Sequence, residues 1–583
     1  MLKSFTSNLK VETMTPGKSN IYEIFNGTRV FEIPFYQRPY VWGEKQWERM
    51  LSDMVDVCHR SKNYFLGAII LKQTSTSTST MGDHKIVIDG QQRLTTLAIF
   101  QKVLALKKGG EELFRRRFVL PDGCFAIAHS HVDREDFQQV MQLTSYSEPI
   151  EGNSNIIKAY KYFRENLNPD LIDEMRLNKN VQVIDIVIDD NDDEQQIFDT
   201  INSLGVDLTT AELLKNHLFT ERTIDKYETL WKPAFERDEE CIAFWAQDLL
   251  KGRNKRKNIE AFLNAFLQIK VHEPSIKVSS EDKLEYAKSS TLFYSYKDFI
   301  SKYYSGREFE LIEELVHYAK IYQSTFTPAV VDESLTFEPS IDRINFLIFV
   351  ADNTTMIPYI MFIIKNVNDK NERVKIYDYL ESYIVRRLIC RKSTKNYSDL
   401  FSENLINANI QTADALRAYI QEKDSTNSLA MPSDAEVVHN FLETEQPNYR
   451  ALSILYLLES RLRNNRLLTT QLMKYNVYTL EHLMPQKWIT NWPLPIGGDS
   501  ERRIHLVRTM GNCTMITQAL NSTISNDCWS VKLEGRNNRG GLKTYASGLF
   551  TLDGVLTLDA WDENCIINRS TQLAELACQI WKF

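Results

Sequence analysis

The stretch that decides the N-terminal fold is KIVIDGQQRL, residues 85–94, where an apolar run meets a polar turn. The branched residues of 85–88 predict a buried strand, and the apolar positions from Leu94 to Leu104 predict a helix after the turn. Backbone N–H groups at such a turn favour anions, and Arg93 can hold a phosphate in forked geometry. Asp89 is suited to hold a metal ion or orient water. A buried structural network explains the same residues about as well, and the chain has no Walker loop.

A second polar and aromatic segment, IPFYQRPYVW, spans residues 33–42. It combines aromatic faces with the Gln37 amide and the Arg38 guanidinium, groups that stack a base and hold a phosphate. The alternative is an aromatic latch on the domain core.

The surrounding sequence alternates between predicted strands and helices. Apolar residues from Trp47 to Cys58 recur at helical spacing, and residues 64–71 and 181–188 are strand-like. Thr209 and Glu212 have the spacing of a capping box and predict a helix start. Residues 220–425 have a mostly helical pattern, and a linker is expected over 423–434. The fold class predicted is therefore α+β multidomain and predominantly helical.

Bulk properties narrow the class of protein. A chain of 583 residues is expected to form two to four domains. It has no apolar run of membrane-spanning length and no signal peptide, so a cytoplasmic protein without membrane contact is expected. The eight cysteines lack close pairing and are interpreted as reduced core residues.

The C-terminal region carries the motif TLEHLMPQ, residues 479–486. In a nuclease that uses one divalent ion, a histidine deprotonates the attacking water, which assigns His482 as general base. Glu481 and Asn521 are the candidate metal ligands, and their oxygen atoms suit Mg²⁺ or Mn²⁺. Glu481 and His482 reach one site only if the strand ends there, which Pro485 favours. Asn512 is the candidate residue that shapes the loop or orients the histidine.

Charge distribution agrees with a nucleic-acid partner at this end of the chain. Residues 482–543 contain eight Lys/Arg and four Asp/Glu, in a chain whose net charge is −8. A locally basic face on an acidic protein fits an enzyme that binds DNA or RNA. Ordinary variation of surface charge is the alternative.

These motifs resemble those of a known family. The sequence EHLMPQ resembles the opening of ββα-metal (HNH) nucleases, and YIVRRLIC (383–390), GNCTMI (511–516), LNS (520–522) and Lys532 resemble the C-terminal half of GmrSD-type modification-dependent restriction enzymes. The N-terminal segments, with IFDTINSLG (197–205) and LLKN (213–216), resemble the ParB/sulfiredoxin-like N-terminal domain of the same family. Classical nucleases of the wider group often add a histidine or paired cysteines near the second ligand, where this chain has only Asn521.

The resemblance implies roles for particular residues. Nucleotide binding is implied for a group of six residues: Asp89, Gln91, Gln92, Arg93, Gln37 and Arg38. Asn202, Lys215 and Asn216 are weaker candidates for the same site. Lys532 is implied to bind a DNA phosphate. The nucleoside triphosphate is GTP or ATP, and the module is associated with sensing modified DNA.

Together these predictions describe a fused type IV restriction-like enzyme that acts in defence against phage. Residues 1–225 are predicted to be the nucleotide-binding and DNA-sensing domain, 226–425 a helical connection, and 426–583 the HNH-type nuclease domain. The expected partners are double-stranded, modified phage DNA and a nucleoside triphosphate, with a homodimer suited to cutting both strands. Two alternatives stay open: a DNA-sensing regulator whose nuclease site is inactive, and an RNA-directed nuclease toxin.

Overall fold

The structure is a computed structural model that describes residues 17–34, 37, 39–60, 63–73, 83–130, 132–188, 209–219, 221–249, 256–423, 427–464, 471–536 and 539–583. Arg38 and Asn202, and the helix expected over 197–201, lie outside the described residues, as does the side chain of Asn216. The chain forms two compact units, Met1–Thr229 and Leu230–Phe583. We call them the N-terminal and C-terminal units.

The N-terminal unit contains a sheet and nine α-helices within its described residues. Its strands are β1 (Gly17–Asn20), β2 (Arg29–Glu32), β3 (Tyr64–Gln73), β4 (Asp83–Asp89), β5 (Ile127–Ala128) and β6 (Val181–Ile188). Its helices are α1 (Ile21–Ile24), α2 (Glu44–Arg60), α3 (Gln91–Lys108), α4 (Glu111–Phe118), α5 (Arg134–Gln142), α6 (Asn155–Asn166), α7 (Glu174–Asn180), α8 (Thr210–Leu218) and α9 (Ile224–Lys226). The strands predicted over 64–71, 85–88 and 181–188 and the helix from Trp47 to Cys58 are confirmed.

The six strands form one mixed sheet in the order β1-β6-β3-β4-β2-β5. β3 pairs with β6 in parallel and with β4 antiparallel, and β4 pairs with β2 in parallel. β4 is therefore an inner strand, and the turn that follows it lies at the middle of one sheet edge. The predicted capping box is also confirmed, since Thr209 accepts from the Glu212 N–H and Glu212 accepts from the Thr209 N–H.

The junction from β4 to α3 depends on a glycine. Gly90 has φ +101°, and a Cβ there would lie 2.6 Å from Cγ2 of Ile69. Any other residue would be strained in its backbone and would collide with β3. α3 then runs through the core, and every residue from Gln91 to Ala105 is buried except Arg93.

The C-terminal unit is mostly helical. Its helices are α10 (Lys232–Phe235), α11 (Glu239–Ala246), α12 (Asn258–His272), α13 (Ser280–Tyr286), α14 (Leu292–Tyr303), α15 (Glu308–Thr325), α16 (Ile341–Phe349), α17 (Ile357–Asn366), α18 (Lys370–Ile389), α19 (Leu405–Asn407), α20 (Ala413–Gln421), α21 (Asp434–Glu443), α22 (Asn448–Leu462), α23 (Ser500–Leu506), α24 (Gln518–Ile524), α25 (Trp529–Glu534), α26 (Leu542–Tyr545) and α27 (Glu563–Ile580). Its strands are β7 (Tyr478–His482), β8 (Cys513–Thr517), β9 (Gly535–Arg536) and β10 (Arg539–Gly540). The predominance of helix predicted from the sequence is confirmed.

The YIVRRLIC segment forms the end of α18, where two arginines are wholly buried. Arg386 donates to the carbonyls of Pro432 and Trp581, and Arg387 donates to the carbonyls of Ala430 and Ser428. Because a guanidinium has five N–H donors, each arginine satisfies several loop carbonyls that would otherwise be buried without a partner. The segment thus holds the residues before α21 against the helical core.

β7 and β8 pair antiparallel, with Glu481 opposite Thr514 and His482 opposite Cys513. α24 follows β8 directly and contacts both strands. The strand predicted to end at the Glu481–His482 pair is therefore present, and α24 packs against it. Among the residues that the structure describes, no helix has the length and apolar character needed to cross a membrane.

Candidate active site and nucleotide site

Glu481 lies near the end of β7, and its carboxylate contacts a buried lysine. The Lys532 ammonium, on α25, donates to Glu481 Oε1 and, at 2.8 Å, to the main-chain oxygen of His482. Burial raises the pKa of the Glu481 carboxyl, while the charge of Lys532 opposes the rise. Lys532 therefore fixes both the side chain of Glu481 and the final peptide of the strand.

The position of Lys532 corrects its expected role. Its side chain has 0% exposure, and its ammonium is fully occupied inside the C-terminal unit. A lysine binds a DNA phosphate only when its ammonium reaches the surface, so Lys532 is not a phosphate ligand in this conformation. The sequence pattern could not reveal this, because Glu481 and Lys532 are 51 positions apart.

His482 is half-buried at the last position of β7. Its Nε2 lies 3.1 Å from Nε2 of Gln486, which is exposed. Burial, together with the charges of Lys532 and Arg508, lowers the pKa of the imidazole to about 4. His482 is therefore neutral at neutral pH, the form that a general base requires.

Asn512 shapes the loop after β7 and does not contact the imidazole. Its Oδ1 accepts from the Met484 N–H at 2.8 Å and from the Trp561 indole at 3.0 Å. Its Nδ2 donates to the carbonyls of Met484 and Val507 at 2.8 and 2.9 Å. Every hydrogen-bonding position of the buried amide is used, so of the two expected roles the structure supports loop shaping rather than orientation of His482.

Gly511, before it, is required by close packing. A Cβ at this position would lie 2.2 Å from the main-chain oxygen of Ile566 on α27. The Gly-Asn pair thus brings β8 against α27 and ties the β7 loop to it.

Asn521 is the fourth residue of α24, and its side chain contacts β7. Its Nδ2 donates to Thr479 Oγ1 and to the Leu480 carbonyl, each at 3.3 Å. The amide is therefore anchored beside the residue that precedes Glu481.

The candidate ligands of Mg²⁺ or Mn²⁺ near β7 are two oxygen donors. Glu481 supplies a carboxylate and Asn521 an amide oxygen, the ligands preferred by these ions. The ammonium of Lys532 already lies on Glu481, so a metal ion there would have to share the carboxylate with a buried positive charge. Among the described residues there is no group of three or more His, Cys, Asp or Glu that could hold a metal.

Most of the positive charge predicted near this site is paired within the C-terminal unit. Six of the eight cations between residues 482 and 543 form ion pairs: Arg502 with Glu443, Arg503 with Glu563, Arg508 with Glu445, Lys532 with Glu481, Arg536 with Asp527 and Lys543 with Glu534. A count of charges along the sequence therefore overstates the charge presented to DNA.

In the N-terminal unit, Arg93 is held at the junction of β4 and α3. Its guanidinium donates to the Ala68 carbonyl at 2.9 Å and lies 3.3 Å from Asp89 Oδ2. Both side chains are about one quarter exposed, 24% for Arg93 and 28% for Asp89. They are therefore accessible beside the N-terminus of α3, where backbone N–H groups favour an anion.

Two glutamines tie the aromatic segment to this junction. Gln37 donates to the carbonyls of Val87 and Ile88 at 2.9 and 2.8 Å. Gln92 accepts from the N–H groups of Val41 and Trp42 and donates to the Pro39 carbonyl. Their amides bind the protein's own backbone, so they position the segment and leave the ligand to other groups.

The segment also has a core anchor. Tyr40 is 4% exposed, and its hydroxyl is hydrogen-bonded to Thr96 Oγ1 at 2.7 Å and to the Trp47 indole at 2.8 Å. The aromatic segment is therefore anchored in the core through Tyr40 and hydrogen-bonded to the β4–α3 junction through Gln37 and Gln92. Gln91 is also buried, at the start of α3. Within the segment 89–93, the accessible side chains are therefore those of Asp89 and Arg93.

Around the β4–α3 junction, the structure places Gln37, Gln92 and the Asp89–Arg93 pair. In the C-terminal unit, Glu481 and His482 are the last two residues of β7, and Asn521 contacts Thr479 and Leu480. Sequence reasoning missed Gln486 as the side chain that contacts the imidazole, and Arg508 as a charge acting on it. The Gln486 signal was available, because a residue four positions after His482 and just past Pro485 can fold back. Arg508 had no local signal.

Comparison with known protein families identifies two matching domains, one in each half of the chain. Residues 21–219 match the family described as the GmrSD restriction endonuclease N-terminal domain, and residues 431–576 match the GmrSD restriction endonuclease C-terminal domain. A comparison with curated proteins finds no match. The matched ranges include all the candidate site residues of both units.

Proposed function

Because this chain belongs to the GmrSD family of restriction endonucleases, which act in defence against phage, we propose that it cleaves modified DNA under the control of a nucleoside triphosphate. The C-terminal unit would hydrolyse the phosphodiester at an HNH-type site formed by β7, β8 and α24. The N-terminal unit would be the ParB/sulfiredoxin-like module that binds nucleotide and senses the modification. The observation that carries the proposal is a neutral histidine at the end of β7, beside a buried carboxylate.

In this mechanism His482 accepts the proton of the attacking water. Its lowered pKa keeps the imidazole neutral before the reaction, and His482 is half-buried at the last position of β7. Lys532 keeps Glu481 in place through the contact with its carboxylate. General base catalysis of this kind contributes about 10²–10⁴-fold to a rate.

Gln486 would select the nitrogen that acts as the base. Rotation of its amide by half a turn exchanges the amide nitrogen and oxygen, and Oε1 then accepts from the Nε2–H of His482. The proton is held on Nε2 in that arrangement, and Nδ1 is left free to accept the proton of water. Gln486 is thus the orienting residue in place of Asn512.

Mg²⁺ or Mn²⁺ would be held by Glu481 and Asn521. When bound, the ion would supply positive charge to the phosphate and to the leaving oxygen. Asn512 and Gly511 keep the loop and β8 in register, so the ligands and the base stay at one end of the strand pair.

The N-terminal unit would bind the nucleotide at the α3 N-terminus. Arg93 offers a forked guanidinium to a phosphate, and Asp89 offers a carboxylate to the accompanying cation. Support comes from burial, since Arg93 is the single unburied side chain between Gln91 and Ala105. Gln37 and Gln92 would hold the aromatic segment beside the nucleotide. GTP and ATP are both compatible with these contacts.

One experiment tests the whole proposal. Phage DNAs that are methylated, glucosylated, phosphorothioated or unmodified are incubated with the full chain and Mg²⁺, with and without each nucleotide. Nucleotide-dependent cleavage of one modified DNA is expected. Nucleotide turnover without DNA cleavage would favour the regulator with an inactive nuclease site, and degradation of total RNA without nicking of DNA would favour the toxin.

A further inference from the structure

The burial of Lys532 leaves open which cation meets the DNA backbone beside His482. Arg508 follows Val507, which is tied to the loop after His482. The carbonyl of its neighbour Val507 accepts from Asn512 Nδ2 at 2.9 Å, and the same amide binds both backbone groups of Met484.

Arg508 differs from its neighbouring cations in what its guanidinium holds. Arg503 has a side-chain exposure of 3% and is paired with Glu563 in the interior. Arg502 forms two hydrogen bonds with Glu443, at 2.7 and 2.9 Å. The Arg508 side chain is 47% exposed and makes one 3.3 Å contact with the 43% exposed Glu445.

An exposed ion pair with a single contact is easily exchanged for another anion. A phosphate accepts the two parallel N–H bonds of a guanidinium, a geometry that a lysine cannot reproduce. Glu445 can thus be displaced from the Arg508 guanidinium by a stronger hydrogen-bond acceptor.

We propose that Arg508 is the backbone-phosphate ligand of the candidate nuclease site and that it exchanges Glu445 for a DNA phosphate when DNA binds. This inference rests on the proposed nuclease function and names the contact that positions the DNA strand at His482. Arg508 reads no base, so the contact serves modified and unmodified DNA equally.

The test measures DNA binding without cleavage. The full chain is titrated with a short fluorescein-labelled duplex in EDTA at a series of KCl concentrations, and affinity is followed by fluorescence anisotropy. Arg508→Gln is expected to weaken binding about three- to tenfold and to reduce the slope of log affinity against log salt by about 0.9. Arg508→Lys is expected to recover the slope but only part of the affinity. The control is Arg417→Gln, a 51% exposed arginine on α20 that is expected to change neither.

Glu445→Gln provides a second measurement with the opposite sign. Release of Arg508 is expected to tighten DNA binding in the wild-type background and to have less effect in Arg508→Gln. Equal effects in both backgrounds would show that Glu445 acts only through its own charge and would overturn the exchange. Circular dichroism checks that Arg508→Gln is folded. If the wild-type chain binds DNA and folded Arg508→Gln binds it with the same affinity and salt slope, the phosphate contact alone is overturned. A wild-type chain that binds no duplex would overturn the proposed function itself.

Discussion

The side chain of Asn512 pairs with the backbone of Met484 at both ends, accepting from its N–H and donating to its carbonyl, each at 2.8 Å. This is the pairing that one strand residue makes with another, supplied by a side chain where the β7–β8 ladder has ended. The loop after His482 is thereby held as firmly as the strand before it.

Replacing Asn512 with alanine is expected to destabilise the C-terminal unit. The change leaves buried partners on Met484, Val507 and Trp561 without hydrogen bonds, and each such group costs about 1–3 kcal/mol. Urea denaturation should therefore show a loss of about 3 kcal/mol or more. Gln518→Ala, at an exposed position on α24, is the control and should lie within about 0.5 kcal/mol of the wild type. Equal stability of both variants would contradict the structural role of Asn512.

His482→Ala is expected to lower Mg²⁺- or Mn²⁺-dependent DNA cleavage by about 10²–10⁴-fold, because the proposed general base is lost. Nucleotide turnover should stay close to wild type, since the nucleotide is expected in the other unit. His439→Ala is the matched control, as His439 is exposed on α21. Full cleavage by the His482 variant would refute its assignment as the base.

Gln486→Ala is expected to lower the cleavage rate by roughly 10–100-fold, since the imidazole loses the contact that orients it. Gln486→Glu should recover much of the rate, because a carboxylate also accepts from Nε2–H. The added negative charge should raise the pKa of His482 and move the acid limb of the pH–rate profile upward. A profile that is the same in Gln486→Glu and wild type would show that this side chain does not act on the imidazole.

Arg93→Ala is expected to weaken nucleoside triphosphate binding by about 10–100-fold, the effect of losing one charge-assisted contact with phosphate. Calorimetric titration and phosphate release would measure binding and turnover. Arg49→Ala is the control, because the Arg49 side chain is 84% exposed and belongs to α2. Unchanged nucleotide turnover in Arg93→Ala would assign the Asp89–Arg93 contact a purely structural role.

Acid is expected to destabilise both units through buried histidines. Burial lowers the pKa of His129 to about 3 and that of His272 to about 4, whereas an exposed histidine titrates near 6.5. Since the unfolded chain binds these protons first, stability is complete above pH 6.5 and falls as the pH decreases towards 4. The loss for each histidine is up to roughly 1.4 kcal/mol per pH unit.

Urea denaturation at several pH values measures this dependence. His129→Gln keeps a partner for Thr95 and cannot titrate, so the acid dependence of the N-terminal unit should become shallower. His439→Ala should keep the wild-type dependence. A His129→Gln variant with an unchanged dependence would show that other groups cause the acid loss.

The sequence by itself determined the local elements and the place of each motif. Strand β6, the capping box at Thr209, the helix after Gly90 and the end of β7 at His482 all follow from residues within one or two turns of each other. Periodicity, capping and glycine conformation are short-range effects, and they act the same way wherever the segment packs.

Only the tertiary structure decided which distant side chains met. It placed the Lys532 ammonium on Glu481 and the Asn512 amide on the backbone of Met484. It also paired six of the eight cations between residues 482 and 543 with carboxylates of the C-terminal unit. The sequence does not distinguish a lysine whose ammonium is buried against a carboxylate from one whose ammonium is exposed to a phosphate. Which of the two environments a lysine has depends on packing between segments tens of residues apart.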